Sequence, residues 1–299
     1  MKKALFAVMG DPIEHSLSPR IHQLFAKQVQ IALDYVKLQV TPKNFSQAIA
    51  HFRRQGGQGL NITAPLKKMA YDYVNQYMPR AQQAGVVNTI VWQDDRNRVG
   101  DNTDGAGLIT DLQQNLHVIL KNKCILLIGA GGAASGVLPA LLSCQPKKII
   151  VANRTLDHAL SLIETIIMRV KEVVDVEHKI TASDFVQLAL CKGCFDVVIN
   201  TTPVSWQHQS LPLSKKIFVK NNETVAYDLA YGLADNGFLR WAQSCGVMRC
   251  YDGLGMLVEQ AAAAFALWHG VLPQTQPVIH RLQRLYSLRT RKREKTLST

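Results

Sequence analysis

The sequence predicts an α/β protein of two domains, and three observations support that fold class. The chain has 299 residues, which allows two domains of roughly 150 residues each. Short apolar segments alternate with helical patterns along most of the chain, as in proteins built on parallel sheets. An uncharged segment at 125–128 runs into Gly129, Gly131 and Gly132 and then into a helical pattern, which is the order of a dinucleotide-binding βα unit.

Composition narrows the class further. The chain is 47% hydrophobic, enough for two cores, and its uncharged window 124–144 is too interrupted by glycine and proline to cross a membrane. The six cysteines come without a secretory signal, since the apolar segment at 4–10 is too short for one, so we expect reduced thiols in a cytoplasmic protein. Cys191 and Cys194 have metal-ligand spacing but no second pair, and we expect no metal.

Charge is the one feature that suggests another class. The net charge is +12, and about half of the excess lies in residues 281–295. A basic tail of this kind can contact nucleic acid, but it is more often a solvated chain end. We therefore expect no nucleic-acid partner.

In the first half, polar turns and prolines divide the chain into predicted elements. Ser18 and Pro19 indicate a helix start, because proline is favoured at the first helical position, and Pro65 indicates another. Asp104 begins a helix that continues to residue 116. The other predicted elements are strands at 3–9, 34–40, 59–63 and 86–92, a returning segment from 99, and helices at 20–29, 42–54 and 80–84.

In the second half, strands and helices alternate regularly. The predicted strands are 123–128, 147–152, 178–181, 195–200, 224–228 and 247–251. The predicted helices are 133–144, 156–170, 235–244, 256–269 and a final one from residue 277. This alternation predicts a parallel sheet in each half of the chain.

The glycine turn predicts a phosphate site, because its N–H groups and the positive end of the following helix point at a bound anion. The next strand ends in Asn153, Arg154 and Thr155, where an NAD-binding unit usually has an acidic residue. A guanidinium can bind a 2′-phosphate bidentately, whereas a carboxylate would repel it. The pattern favours NADP; the alternative is a solvated Arg154 and a Thr155 that only caps a helix.

Two further polar clusters could in principle bind a ligand, and the sequence supports this for the first of them. Ser16 and Ser18 place two hydroxyls at a helix start, a suitable site for a small carboxylate, although Ser18 alone also fits a helix N-cap. The polar cluster at 101–104 lacks the spacing and terminal Glu of a calcium loop, so we expect no metal there either.

Seven motifs occur in the order and spacing of the shikimate dehydrogenase family, and the chain resembles that family to about residue 285. They lie at 16–19 (SLSP), 61–67 (NITAPLK), 87–89 (VNT), 100–105 (GDNTDG), 129–133 (GAGGA), 153–155 (NRT) and 252–260 (DGLGMLVEQ). The resemblance implies reversible NADP-dependent reduction of 3-dehydroshikimate to shikimate, in aromatic amino acid biosynthesis. It also implies a substrate domain at 1–104 with 254–299 and a Rossmann-type NADP-binding domain at 105–253.

The resemblance assigns roles to particular residues. Lys67 and Asp104 are the implied catalytic pair, since a developing alkoxide needs a proton donor. Taken alone, they fit an exposed helix charge and an N-cap better than a catalytic pair, and the ordered set of motifs reverses that preference. A water held by Lys67 is an alternative proton carrier. The implied substrate-binding residues are Ser16, Ser18, Thr63, Lys67, Asn88, Asp104, Tyr231 and Gln260. The implied cofactor-binding residues are Gly129, Ala130, Gly131, Gly132, Ala133, Asn153, Arg154, Thr155, Thr201, Leu229 and Gly253.

The chain departs from the family pattern at three places. Ser135 stands where many relatives have a basic residue, Pro203 where a small hydroxyl residue is common, and the loop 232–237 differs after Tyr231. Two alternatives remain. One is a quinate/shikimate dehydrogenase that uses NAD, against which Arg154 argues, and the other is a non-catalytic NADP-binding regulator whose basic tail contacts nucleic acid. We expect a monomer or a homodimer.

Overall fold

Two six-stranded sheets organise the molecule. The computed structural model describes residues 3–94, 96–173, 176, 179–207, 211–233 and 235–297, with residues 287–297 described by their backbone alone. The strands are β1 Ala4–Gly10, β2 Leu33–Gln39, β3 Gly57–Ile62, β4 Gln76–Tyr77, β5 Thr89–Trp92, β6 Arg98–Asp101, β7 Cys124–Ile128, β8 Lys148–Ala152, β9 Ile180–Ser183, β10 Val197–Asn200, β11 Val225–Asp228 and β12 Arg249–Asp252. The first six strands form one sheet and the last six form the other.

The helices flank these sheets. They are α1 Ser18–Gln28, α2 Phe45–Arg54, α3 Lys67–Tyr73, α4 Pro79–Ala84, α5 Asp104–Thr110, α6 Gly132–Ser143, α7 Leu156–Val170, α8 Phe185–Leu188, α9 Gly237–Ser244, α10 Leu254–His269 and α11 Gln276–Leu297. Short 3-10 turns lie at Pro42–Asn44 and Pro203–Ser205, and a π-helical turn, Asp111–Asn115, continues α5. Within the described residues, none of the helices combines the length and apolarity that a membrane crossing requires.

The second sheet is parallel throughout, in the order β12-β11-β10-β7-β8-β9. Its central strand β7 is fully buried from Ile125 to Ile128, as expected when helices cover both faces of a parallel sheet. This sheet confirms the predicted nucleotide-binding architecture. We call it, with its helices, the second lobe.

The first sheet is mixed, and the prediction of a parallel sheet in the first half is wrong. Its order is β2-β1-β3-β5-β6-β4, and β5 runs antiparallel to both β3 and β6. The reason is the short connection between β5 and β6, residues 93–97, which is too short for a parallel crossover. The first sheet, α1 to α4 and the returning helices α10 and α11 form the first lobe.

Several predicted element boundaries also shift. The helix expected at Pro65 begins two residues later, at Lys67, after a cis Ala64–Pro65 bond. Helix α1 begins at Ser18, so Ser18 lies in its first turn and Leu17 is its N-cap. The strand expected at 86–92 begins only at Thr89, because the preceding residues take part in the site described below. Strand β4 and helix α8 were not predicted; both are four residues or shorter.

Parts of two predicted segments lie outside the described residues. The strand expected at 178–181 is described from residue 179, and β9 begins at Ile180. The basic tail belongs to α11, and its side chains from residue 287 onward lie outside the description.

The returning helices complete the core of the first lobe. Val258 and Phe265 of α10 and Leu282 of α11 pack with Phe25 of α1 in one buried cluster. Helix α10 also packs closely on α5, where a Cβ built on Gly107 would lie 2.7 Å from Gln260 Cβ. Glycine at 107 therefore permits the close helix contact that brings Gln260 toward the first sheet.

The two lobes are joined along helix α4. Ser135 Oγ of α6 donates to Ala84 O at 2.6 Å. Arg169 of α7 donates to Gln82 O at 2.9 Å and to Tyr71 Oη at 2.7 Å. Ser135, which stands where many relatives have a basic residue, is therefore used between the lobes.

Candidate active site

A buried ion pair lies at one edge of the first sheet. Lys67 Nζ and Asp104 Oδ2 are 2.5 Å apart, and their side chains are only 12% and 8% exposed. Lys67 opens α3, which follows β3, and Asp104 opens α5, which follows β6. Because β3 and β6 are each antiparallel to β5, their carboxyl ends lie at the same edge.

Asn88 joins this pair for the same topological reason. It precedes β5, whose amino end lies at the edge where β3 and β6 end. Its Nδ2 donates to Asp104 Oδ1 at 2.8 Å and to Thr103 Oγ1 at 2.9 Å. Its Oδ1 accepts from the Thr103 backbone N–H at 2.9 Å. Both carboxylate oxygens of Asp104 are therefore engaged, one by an ammonium and one by an amide.

Gln260 reaches the same cluster from α10. Its Oε1 lies 3.4 Å from both Asn88 Nδ2 and Thr103 Oγ1, and its Nε2 donates to Leu257 O at 2.8 Å. Gln260 is 8% exposed. The structure thus brings together four of the predicted substrate residues: Lys67, Asn88, Asp104 and Gln260.

A second group of predicted residues lies at the start of α1. Ser16 Oγ accepts from the Ser18 backbone N–H at 3.3 Å, and the two hydroxyls are 3.2 Å apart. Tyr231 comes from the loop after β11 of the second lobe. Burial raises the pKa of Tyr231 well above its usual value, and hydrogen bonding to Leu17 and Ser16 opposes the shift. Tyr231 therefore lies next to Ser16 and the Leu17 backbone, across the cleft between the lobes.

Trp206 and His15 extend this contact between the lobes. The Trp206 ring lies 4.5 Å from the His15 ring and 5.6 Å from the Tyr231 ring. Burial, and then the charge of Lys37, lowers the pKa of His15, so its ring is neutral at pH 7. Neither Trp206 nor His15 was predicted as a site residue, because no ligand-binding pattern marks either in the sequence.

Thr63, the remaining predicted substrate residue, follows β3. Its backbone N–H donates to Met9 O at 2.9 Å, and a Cβ built on Gly10 would lie 2.3 Å from its Cγ2. Thr63 is half-buried. It lies four residues before Lys67, on the turn that leads into α3.

The glycine turn between β7 and α6 has the geometry of a phosphate loop. Gly129 has φ +109°, and a Cβ built on it would lie 2.5 Å from Thr201 Oγ1, so only glycine fits there. The Thr201 hydroxyl donates to Ile128 O at 2.7 Å. A Cβ built on Gly131 would meet no atom within 4 Å, and Gly131 and Gly132 are exposed. The amino end of α6 is therefore open to an anion.

The glycine turn also faces the ion pair. A Cβ built on Gly132 would lie 3.6 Å from Lys67 Cβ. One turn further along α6, a Cβ built on Gly136 would lie 2.9 Å from Asp104 Oδ2. The start of α6 thus passes directly over the Lys67–Asp104 pair and connects the predicted catalytic and cofactor residues.

The remaining cofactor candidates lie at the carboxyl ends of the second sheet. After β8, Asn153 Nδ2 donates to Thr155 O at 2.9 Å, and Arg154 and Thr155 are exposed. Leu229 follows β11 and Gly253 follows β12, and a Cβ built on Gly253 would lie 2.3 Å from Leu229 O. Ala130 and Ala133 lie within the glycine turn and the first turn of α6 and are half-buried.

Asp228 holds the loops that carry several of these residues. It is fully buried and accepts hydrogen bonds from Asn200 Nδ2 at 3.0 Å, Ser205 Oγ at 2.5 Å, Asn236 Nδ2 at 2.9 Å and the Ala230 N–H at 3.0 Å. Burial raises its pKa despite these bonds. Asn236 also caps α9, which explains how the divergent loop at 232–237 keeps a defined end.

The described residues contain no group of three or more His, Cys, Asp or Glu side chains suited to a metal ion. The cysteines are free thiols. The chemistry of the site therefore rests on one ammonium, one carboxylate, amides and hydroxyls, next to an open helix amino end.

A parallel sheet with a phosphate-type glycine turn, facing a buried lysine–aspartate pair, defines a dinucleotide-dependent oxidoreductase of two lobes. Three family models match the chain: the shikimate dehydrogenase substrate binding domain at 8–90, shikimate / quinate 5-dehydrogenase at 111–202, and the shikimate 5′-dehydrogenase C-terminal domain at 253–283. The chain belongs to the shikimate dehydrogenase family. The resemblance inferred from the seven motifs is confirmed.

Individual relatives support this family membership. The shikimate dehydrogenase (NADP(+)) of Alkalilimnicola ehrlichii is 43% identical over 278 residues, covering 93% of this chain and 98% of that protein. The crystal structure of an Ael1 enzyme from Pseudomonas putida is 38% identical with a TM-score of 0.81, covering 94% and 98% of the two chains. Shikimate 5-dehydrogenase from Thermus thermophilus, in complex with NADP(H) and shikimate, is 30% identical with a TM-score of 0.77, covering 94% and 99%.

Proposed function

We propose that this protein catalyses the reversible NADP-dependent reduction of 3-dehydroshikimate to shikimate, a step in aromatic amino acid biosynthesis. The observation that carries the proposal is the 2.5 Å contact of Lys67 with Asp104, placed next to the glycine turn at Gly132. Curated relatives carry this activity in their names.

The residues of the second lobe fit a dinucleotide. At Gly129 a side chain would collide with Thr201, and Gly131 leaves the amino end of the twelve-residue helix α6 accessible to a pyrophosphate. We assign Asn153, Arg154 and Thr155 to the adenosine end, with the Arg154 guanidinium on the 2′-phosphate. Thr201, Leu229 and Gly253 lie at strand ends nearer the cleft, where the nicotinamide is expected.

The ion pair supplies the acid–base chemistry. Reducing a ketone requires a hydride at carbon and a proton at oxygen, and bound NADPH supplies the hydride. Lys67 Nζ donates the proton to the carbonyl oxygen and stabilises its developing negative charge. Asp104 Oδ2 orients Lys67, while Asp104 Oδ1 keeps its hydrogen bond from Asn88. A water held by Lys67 is the alternative proton carrier.

The residues at the start of α1 and the residues around the ion pair are assigned to different parts of the substrate. Ser16, Ser18 and Tyr231 hydroxyls are assigned to the carboxylate, at the start of α1 where backbone N–H groups also point. Asn88, Asp104 and Gln260, with Thr63, are assigned to the ring hydroxyls. A buried site built to pair with hydroxyls discriminates strongly against analogues that lack them.

A spectrophotometric assay of shikimate-dependent NADPH formation tests the proposal. Lys67→Ala is expected to lower kcat by at least about a hundredfold, the low end for loss of an acid–base group. Lys68→Ala is the matched control, because Lys68 is the next residue but is exposed and contacts Asp72 at 3.3 Å and the Tyr71 ring at 5.0 Å, away from Asp104. Equal losses in both variants, or full activity of Lys67→Ala, would contradict the assignment.

The same assay separates the alternatives. Comparable turnover of quinate with NAD would favour the quinate/shikimate dehydrogenase, and Arg154→Ala should raise the KM for NADP far more than the KM for NAD. Absence of turnover in the wild type would favour the non-catalytic regulator. We further propose the domain boundaries 1–104 with 254–299 and 105–253, a cytoplasmic location, and a monomer or homodimer.

A further inference from the structure

A continuous chain of buried hydrogen bonds leads from strand β2 to the ion pair. Tyr35 Oη donates to Asn61 Oδ1 at 2.7 Å, Asn61 Nδ2 donates to Thr89 Oγ1 at 3.1 Å, and Thr89 Oγ1 donates to Asn88 Oδ1 at 2.8 Å. Asn88 Nδ2 then donates to Asp104 Oδ1. Tyr35, Asn61 and Thr89 are 4%, 6% and 0% exposed, so water does not compete for these bonds.

The sheet brings the middle of this chain together. Asn61 of β3 and Thr89 of β5 are register partners in the antiparallel pair, so their side chains are neighbours on one face. Tyr35 reaches them from β2, its ring stacked on His22 with centroids 4.4 Å apart. The antiparallel pairing of β3 with β5, which the sequence did not predict, therefore creates this chain of hydrogen bonds.

The direction of the chain is fixed at both ends by groups with only one hydrogen-bonding role. Asn61 Nδ2 also donates to the backbone carbonyl of Asn88 at 3.3 Å. A carbonyl can only accept, so the Asn61 amide oxygen must face Tyr35, and Tyr35 must donate. At the other end, the Thr103 backbone N–H can only donate, so it must meet the Asn88 oxygen.

This direction has a consequence for the catalytic carboxylate. Thr89 accepts from Asn61, so its single proton points at Asn88 Oδ1. The Asn88 amide then presents its NH₂ group, and not its oxygen, to Asp104. If the Asn88 amide were turned the other way, its oxygen would face the Asp104 carboxylate. The partial negative charge of that oxygen would destabilise the ionised form of Asp104.

We propose that Thr89, supported by Tyr35 through Asn61, is a positioning residue that acts together with the Thr103 backbone N–H to hold the Asn88 amide in the orientation that binds the Asp104 carboxylate. This inference rests on the proposed function of the same site. Thr89 itself need not touch substrate: it acts on the reaction through Asn88. Tyr35 acts one residue further away, and its effect is correspondingly smaller.

Two substitutions of Thr89 separate the hydroxyl from its surroundings. Thr89→Val keeps the branched shape favoured in a strand but loses the hydroxyl, and we expect kcat for shikimate oxidation to fall about tenfold or more. Thr89→Ser keeps the hydroxyl and loses only a methyl group, and we expect kcat within about threefold of wild type. Tyr35→Phe keeps the stacked ring, and we expect a smaller loss than with Thr89→Val. Thermal unfolding midpoints of all variants are to be measured, as the control that each variant is folded at the assay temperature.

Two results would overturn the proposal: a Thr89→Val enzyme with kcat within about twofold of wild type, or a Thr89→Ser enzyme as impaired as Thr89→Val. A second measurement does not depend on turnover. In NMR spectra of asparagine-labelled protein, the Asn88 side-chain amide protons should exchange at least about tenfold faster in Thr89→Val than in wild type and in Thr89→Ser. Equal exchange would also overturn the proposal, and an inactive wild type with the expected exchange would refute the proposed function alone.

Discussion

Gly136 offers a direct test of how closely the position of the Asp104 carboxylate sets the rate. It lies in the second turn of α6, and a Cβ built there would be 2.9 Å from Asp104 Oδ2 and 3.2 Å from Asn102 Nδ2. Carbon and oxygen are in favourable contact at about 3.5 Å, so Gly136→Ala requires a shift of roughly 0.6 Å. The side chain of Asp104 will move more readily than α6, which is buried on the second sheet.

The size of the effect follows from that shift. A misplacement of about 1 Å at a reacting group costs about a hundredfold in rate, so a shift of about 0.6 Å predicts a roughly fifteenfold lower kcat/KM. The free energy of unfolding should change by less than about 2 kcal/mol, because helix propensity gains about 1 kcal/mol while overpacking costs about 1–3 kcal/mol. Ser143→Ala, in the last turn of the same helix, is the control. Unchanged kcat/KM in Gly136→Ala would refute the reasoning.

Three further predictions concern stability and the cleft. Burial, and then the charge of His269, lower the pKa of His22 to about 3. Below pH 6.5 the unfolded chain therefore binds a proton at His22 that the folded protein does not bind. Relative to His22→Phe, the free energy of unfolding should fall by up to about 1.4 kcal/mol per pH unit as pH drops from about 6.5 toward 3, and parallel urea-unfolding profiles would contradict this. Shikimate should change the tryptophan fluorescence of the wild type but not of Trp206→Phe, since Trp206 contacts Tyr231; an equal change in both would place the signal elsewhere. Asp228→Asn should lower the free energy of unfolding by about 2–5 kcal/mol, because an amide nitrogen cannot accept the bonds that Asp228 accepts, and a change below about 1 kcal/mol would disagree.

The fold of the second lobe could be predicted from sequence because its central strands β7 and β8 are compact apolar segments, each followed closely by a helix. The first sheet could not. Residues 63–88 contain two short helices and resemble a parallel crossover, yet β5 runs antiparallel to β3. Its direction is decided by pairing with β6 through a short turn, and the crossover-like segment before it carries no signal of that pairing.

The candidate site was predictable as far as its motifs extend. Lys67, Asn88 and Asp104 stand in motif positions, and the structure places them in contact. Tyr35 reads from sequence as an ordinary strand residue, because tyrosine is common in strands. Thr89 stands in the motif at 87–89, but the motif assigned it no role in the site. Their part in the hydrogen-bond chain depends on register between strands far apart in sequence, which no local pattern encodes.

The contacts along α4 set how the cleft can widen. Ser135 and Arg169 bind backbone carbonyls of α4, so substitutions of α4 side chains leave these two attachments in place. On the opposite side of the cleft, the lobes meet through the rings of His15 and Trp206, which have no directional bond to break. We therefore expect the lobes to separate more readily at the aromatic contact than along α4.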